Sequence, residues 1–205
     1  QLSKNTRILI QIDERIVLKK NSIENLIQCW NMNKNKNILG IGFNQIVNKK
    51  QNSFGGSKIS KIFRNHQGSV LKNGINIGYE NLKENRKVSW IKGGIASYDL
   101  KKTKKIFNRF FPLLSWSVCE DLIFSYDLQK KGNLIICANA KATLLEKNLN
   151  NEFINNFGLG ALYSHNHRYF VKKNKKLSII FFYLTIQLLF LYNILIGILR
   201  LKISK

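Results

Sequence analysis

The stretch SVCEDLIFSYDLQKKGNLIICA, Ser117 to Ala138, joins a helix to a strand with a stop between them. Ser117 and Glu120 have the S-x-x-E spacing of a capping box, in which each side chain satisfies an N–H that the first helical turn leaves unpaired. The spacing predicts a helix that opens here, runs to Lys131 and stops at Gly132, because glycine closes a helix in the left-handed conformation without a Cβ clash. Leu134 to Ala138 is then a short continuous apolar run, the pattern of a strand buried on both faces. A helix feeding directly into such a strand is the repeating unit of α/β domains.

The same alternation extends upstream. Val88-Ser89-Trp90-Ile91 reads as a short strand ending at Gly93-Gly94, and Asp99 caps a helix with Leu100, Thr103, Phe107 and Phe110 on one side. Ile38 to Val47 reads as another strand. Ile23, Leu26, Ile27 and Trp30 fall at the i, i+3, i+4, i+7 spacing of one helix face, with Asn21 and Glu24 as its capping pair. The run Arg7 to Ile12 reads as a fully buried central strand. A central strand needs neighbours on both sides, so part of the domain is expected to lie upstream of this chain. Asn48 to Gly74 is polar and basic and reads as an irregular excursion. Asn151 to Phe170 reads as a helix.

The chain has 205 residues, 34 Lys+Arg against 11 Asp+Glu, and a formal charge of +23. That balance attracts anions without choosing among them. The lysines are scattered in pairs, with no basic helix or zinc-finger spacing, which argues against a nucleic-acid partner. Hydrophobic residues make up 44%, enough for a core, which excludes wholesale disorder. Cys29, Cys119 and Cys137 are few and widely spaced, so they read as reduced, buried thiols rather than a disulfide framework or a zinc site.

Leu177 to Leu199 carries no charge, with Gln187 and Asn193 its strongly polar interruptions. As a helix it would be about 34 Å long at ~1.5 Å per residue, against a bilayer core of about 30 Å. It is therefore read as a transmembrane helix. Lys172, Lys173, Lys175 and Lys176 precede it, and Arg200, Lys202 and Lys205 follow. With Arg168, the upstream cations are the more numerous, which places the large N-terminal part on the cytoplasmic side of a cell membrane.

Acids are scarce, so two clusters stand out. Asp13-Glu14 follows a strand, where α/β sheets bind ligands and where paired carboxylates hold a hard cation. The bland reading is an acidic turn. Glu120-Asp121 opens a helix, where the macrodipole alone favours acids. The functional reading is a general base that takes a hydroxyl proton as that oxygen attacks an activated carbon.

Together these segments resemble the family 2 glycosyltransferases with the GT-A fold. Gln11 to Leu18 (QIDERIVL) resembles the family's strand and Asp-Asp-Asp box. Trp90 to Tyr98 (WIKGGIASY) is similar to its W-x-x-G-G strand and turn, and Cys119 to Gly132 to its E-D-x-x-F-S helix and glycine stop. His165 to Phe170 is similar to the basic, aromatic segment before the membrane helices of many members. The likeness covers roughly residues 7 to 175. It implies an α/β, incomplete GT-A (Rossmann-like) domain over residues 1–150. A basic juxtamembrane segment at 151–176 and the transmembrane helix at 177–199 would follow.

The activity implied is sugar transfer from a nucleotide-diphosphate sugar, usually inverting, to a cell-surface glycan or lipid-linked acceptor at the cytoplasmic membrane face, beside anionic lipids. Carried over residue by residue, Asp121 is the base with Glu120 in support. Asp13 binds the donor and, with Glu14, holds Mg²⁺ or Mn²⁺. Gly93 and Gly94 let substrates approach the backbone. Trp90 and Tyr98 stack on sugar faces, with core packing the competing role for Trp90. Arg168 meets the diphosphate or, alternatively, a membrane surface. The box departs from the family at Arg15, a cation in place of the third acid, which puts metal use in question. That departure also motivates a competing reading, a non-catalytic membrane-bound module of the same fold.

Overall fold

The computed structural model describes residues 7–47, 64–107, 119–145 and 156–203. Ser117 of the expected capping box, Phe110, and parts of the excursion at 48–74 and of the helix at 151–170 lie outside them. In chain order the elements are β1 (Ile8–Ile12), β2 (Ile16–Leu18), α1 (Ser22–Met32), β3 (Ile38–Gln45), β4 (Arg86–Val88) and β5 (Ile95–Asp99). There follow α2 (Leu100–Phe107), α3 (Glu120–Gln129), β6 (Asn133–Leu144), α4 (Asn156–Lys173) and α5 (Ile179–Ile203).

Among the described residues six strands form one mixed sheet in the order β1-β5-β3-β6-β2, with β4 also on β6. Only β3 and β6 run parallel among the described strands; the other pairings are antiparallel. β6 is the hub. One of its sides carries β3, and its other side carries β4 along Leu134–Ile136 and β2 along Ala142–Leu144. Its register with β3 jumps between Phe43 and Asn44. Asn44, fully buried, fills that irregularity by donating to the carbonyls of Leu82 and Ala138 and accepting from the Leu82 N–H. A buried amide is tolerated because its polar atoms are paired.

Alternation along the strands sends side chains to two cores. Leu134 and Ile136 join Leu122, Ile123, Leu128, Phe170 and Val171 from α3 and α4 on one face. Cys137, Ile41 and Phe43 meet Leu26 and Cys29 of α1 on the other. All three cysteines are free and buried, as expected.

Several expectations are corrected. β1 is not fully buried here: among the described strands it pairs with β5 alone, and Ile12 is 42% exposed. β6 extends well beyond the strand expected at Leu134–Ala138. Neither Asn21 nor Cys119 makes a side-chain cap; both N-cap residues sit in the left-handed region instead, at φ 60° and 73°. Asp99 does cap α2, accepting the Lys102 N–H, while the Thr103 hydroxyl donates to the Asp99 carbonyl. Gly132 lacks the left-handed conformation of a helix stop. It is small because a Cβ there would lie 2.7 Å from Leu39 Cγ and 2.9 Å from the Asn37 carbonyl.

The transmembrane helix is the largest correction. Among the described residues no helix is long and apolar enough to cross a membrane. The start of the apolar run belongs to the domain instead. Phe182 is 4% exposed and stacks on His167, Leu177, Ile179 and Ile186 pack against the core, and Thr185 accepts from Asn73. From Gln187 to Leu199 the helix covers only about 20 Å at ~1.5 Å per residue.

Candidate active site

Three segments far apart in sequence meet at one end of the β1–β5 pair. The antiparallel register sets Ile12 opposite Ile95. Asp13, the next residue, donates its N–H to the Gly94 carbonyl at 2.8 Å. The N-terminus of α3 closes the third side, where Asp121 accepts the Gly93 N–H through Oδ2 at 3.2 Å and the Leu122 N–H through Oδ1 at 2.8 Å. Gln11, Ile12, Asp13, Gly93, Gly94, Glu120 and Asp121 line a pocket of about 310 Å³.

The glycines have a steric reason within the protein itself. A Cβ on Gly93 would stand 3.0 Å from Asp121 Cβ, and one on Gly94 would stand 2.8 Å from Asp13 Cβ. They make room for the two carboxylates. Ser125, one turn along α3, ties the helix to the segment between β4 and β5: its hydroxyl donates to the Asp121 carbonyl at 2.5 Å and accepts the Ile91 N–H at 3.1 Å.

Burial pushes the Asp121 carboxyl above the usual carboxylate range, against the opposing effects of the two N–H donors and of Lys92. A carboxylate raised in this way is a better proton acceptor near neutral pH. Lys92 was not singled out from sequence. Its ammonium pairs with Gln45 and Glu80 and lies over the Tyr79 ring, and burial lowers its pKa. A lysine between Ile91 and Gly93, next to an apolar strand, was the available signal. Cys119, buried at positive φ just before Glu120, is the second omission. Backbone strain of this kind concentrates at functional positions, and no sequence pattern announces it.

Of the expected site residues, Asp13, Gly93, Gly94, Glu120 and Asp121 converge. Glu120 lines the pocket from its exposed side. Glu14 lies exposed in the turn after β1. Trp90 does not join them. It is buried, donates its indole N–H to the Ile77 carbonyl and packs on Tyr79, so its ring face is closed to a sugar. Tyr98 is buried as well. Arg168 stands exposed on α4 with its guanidinium over the Tyr183 ring, outside the pocket lining.

The residues present do not fit a resident Mg²⁺ or Mn²⁺. Arg15 holds Asp13 on both oxygens, Nε to Oδ1 at 2.9 Å and Nη2 to Oδ2 at 2.8 Å, and its backbone N–H adds a further bond to Oδ1. Among the described residues no group of three His, Cys, Asp or Glu side chains gathers as a metal site.

Comparison with protein-family models finds no match, and comparison with curated protein sequences finds none either.

Proposed function

We propose that the chain carries the acceptor-side half of a glycosyl-transfer site, using a nucleotide-diphosphate sugar as donor. The observation that carries this reading is the convergence of Asp13, Gly93-Gly94 and Glu120-Asp121 from three separate segments into one pocket. Asp121 is the general base. An acceptor hydroxyl hydrogen-bonded to its carboxylate gives up its proton as the oxygen bonds to the anomeric carbon. The bond from that carbon to the diphosphate oxygen breaks, and the diphosphate leaves with the electron pair. The Gly93 and Leu122 N–H groups hold the carboxylate in place throughout, so little reorganisation accompanies proton transfer.

The acceptor is a surface glycan or lipid-linked sugar at the cytoplasmic face of the cell membrane. Two features support a lipid-side location. Ile180, Phe181, Leu184, Leu188 and Leu191 of α5 are exposed, and Lys172, Lys173, Lys175 and Lys176 stand beside the start of that helix. Apolar side chains next to a lysine cluster suit the headgroup region of anionic lipids.

A second reading, a non-catalytic module of the same architecture, is favoured by one observation: Arg15 occupies the carboxylate of Asp13. A panel of nucleotide sugars separates the two. Transfer or hydrolysis of one donor, lost in Asp121→Asn, supports the enzyme. Donor binding without turnover, unaltered in Asp121→Asn, supports the module.

A further inference from the structure

We propose that Asp13 of this pocket is held by Arg15 in place of a resident divalent cation, and that a phosphate-bearing substrate is received on Arg15 beside it. The phosphate part of this inference rests on the reading of the donor given above; the statement about the cation rests on geometry alone.

A carboxylate binds a hard cation through in-plane lone pairs at about 2.0–2.6 Å. In Asp13 those directions are taken by the two N–H bonds of the Arg15 fork and by the Arg15 backbone N–H. A cation at that distance would sit among the guanidinium protons and face a full positive charge. Asp121, the other acid held at the turn, already accepts two backbone N–H groups. Two segments therefore deliver acids to the pocket, but Asp13 and Asp121 each arrive with their donors in place.

The same geometry gives the pocket an anion-binding edge. Asp13, Glu120 and Asp121 alone would repel a phosphate. Arg15 cancels Asp13 and engages it through only part of its five-donor set. The side chain remains 44% exposed; Arg15 does not itself line the pocket but is bonded to Asp13, which does. Guanidinium binds phosphate oxygens in pairs, and binds them more tightly than a single point charge does.

The test uses the full chain and two probes, Mn²⁺ followed by electron paramagnetic resonance and inorganic pyrophosphate followed by calorimetry. The wild-type chain is expected to show no saturable Mn²⁺ binding at the pocket and to bind pyrophosphate in the presence of chelator. Arg15→Gln should weaken pyrophosphate binding about ten- to a hundredfold, as expected for losing hydrogen bonds to a charged group. Arg15→Lys, which keeps the charge but not the fork, should fall between. Arg15→Asp should gain Mn²⁺ binding, because it frees Asp13 and adds an acid.

A control is needed because a separate cavity, about 480 Å³ and lined by Lys130, Lys173, Lys175 and Lys176, is basic and attracts anions. Lys175→Gln with Lys176→Gln should leave the Arg15-dependent affinity unchanged. Saturable Mn²⁺ binding by the wild type that is lost in Asp13→Asn would overturn the inference. So would pyrophosphate binding that ignores Arg15 or tracks the two lysines, or its absence at millimolar concentration. Because neither probe requires turnover, pyrophosphate binding through Arg15 in a chain without turnover leaves this inference standing, and the transferase reading is decided separately by the donor panel.

Discussion

Asp121 is placed so that folding and chemistry pull in opposite directions. Its folded pKa is raised mainly by burial, so the folded state holds the proton more tightly than the unfolded one. The stability tied to this group is thus fully present below the unfolded carboxylate value of about 3.9 and is lost as pH rises through the folded value. Asp121→Asn removes that penalty. The variant should lose transfer by about 10²–10⁴-fold while its melting temperature at pH 7 equals or exceeds that of the wild type. Retained transfer would take the base role from Asp121. Gly94→Ala should cost about 1–3 kcal/mol in a denaturant titration, as overpacking does, because the new methyl group meets Asp13 Cβ at 2.8 Å. The acids and the glycine pair were legible because few residue types serve those roles, and the acids are rare in this chain. Trp90 was not, since a tryptophan at a strand end suits a sugar or a core equally, and only its buried contacts decide.

At the scale of elements, the helices were readable and the sheet order was not. Ile8–Ile12 is too short for its apolar run to distinguish a fully buried strand from a partly exposed one. β5 escaped notice because Ser97, Tyr98 and Asp99 look polar, although each is buried and the Ser97 hydroxyl donates to the Ile41 carbonyl. α5 misled for a physical reason: apolar residues that face a domain and apolar residues that face lipid read alike. Two contacts around it make predictions. His167 is buried among Tyr163, Phe170 and Phe182, with Nε2 on the Gly74 carbonyl and no hydrogen-bond partner for Nδ1 among the described residues. Burial lowers its pKa, so the folded state resists taking up the second proton. The stability tied to His167 is full above about pH 6.5 and declines as pH falls below that unfolded value. The melting temperature should therefore drop more steeply below pH 6.5 in the wild type than in His167→Gln, which keeps a donor for Gly74. Asp127 gives a second prediction. Burial alone would raise its pKa, but Lys130 and Lys173, both at 2.7 Å, outweigh that and lower it. Its contribution is present above about pH 3.9 and lost as pH falls through the folded value. Asp127→Asn should cost about 1–3 kcal/mol at pH 7, and the difference should vanish in acid.

Across the whole molecule, a charge of +23 should make adsorption to anionic vesicles steeply sensitive to salt. Adsorption to phosphatidylglycerol vesicles should fall sharply between 50 mM and 300 mM NaCl, and neutral phosphatidylcholine should compete poorly. Salt-independent adsorption would instead assign the contact to the apolar residues of α5 alone. That the chain combines helices with strands was legible at this scale, but the Rossmann-like domain inferred from their alternation is overturned: among the described strands only β3 and β6 run parallel, because strand direction depends on partners distant in sequence. β6 shows how distant. Its end pairs with Ile16–Leu18, and its start pairs with both Ile38 and Arg86–Val88. During synthesis from the N-terminus, β2, β3 and β4 emerge long before the strand that joins them. Until residue 144 leaves the ribosome, their edges remain open, and loop closure over such separations slows folding. The nascent chain therefore passes through a long interval in which exposed strand edges invite aggregation and chaperones have the most to bind.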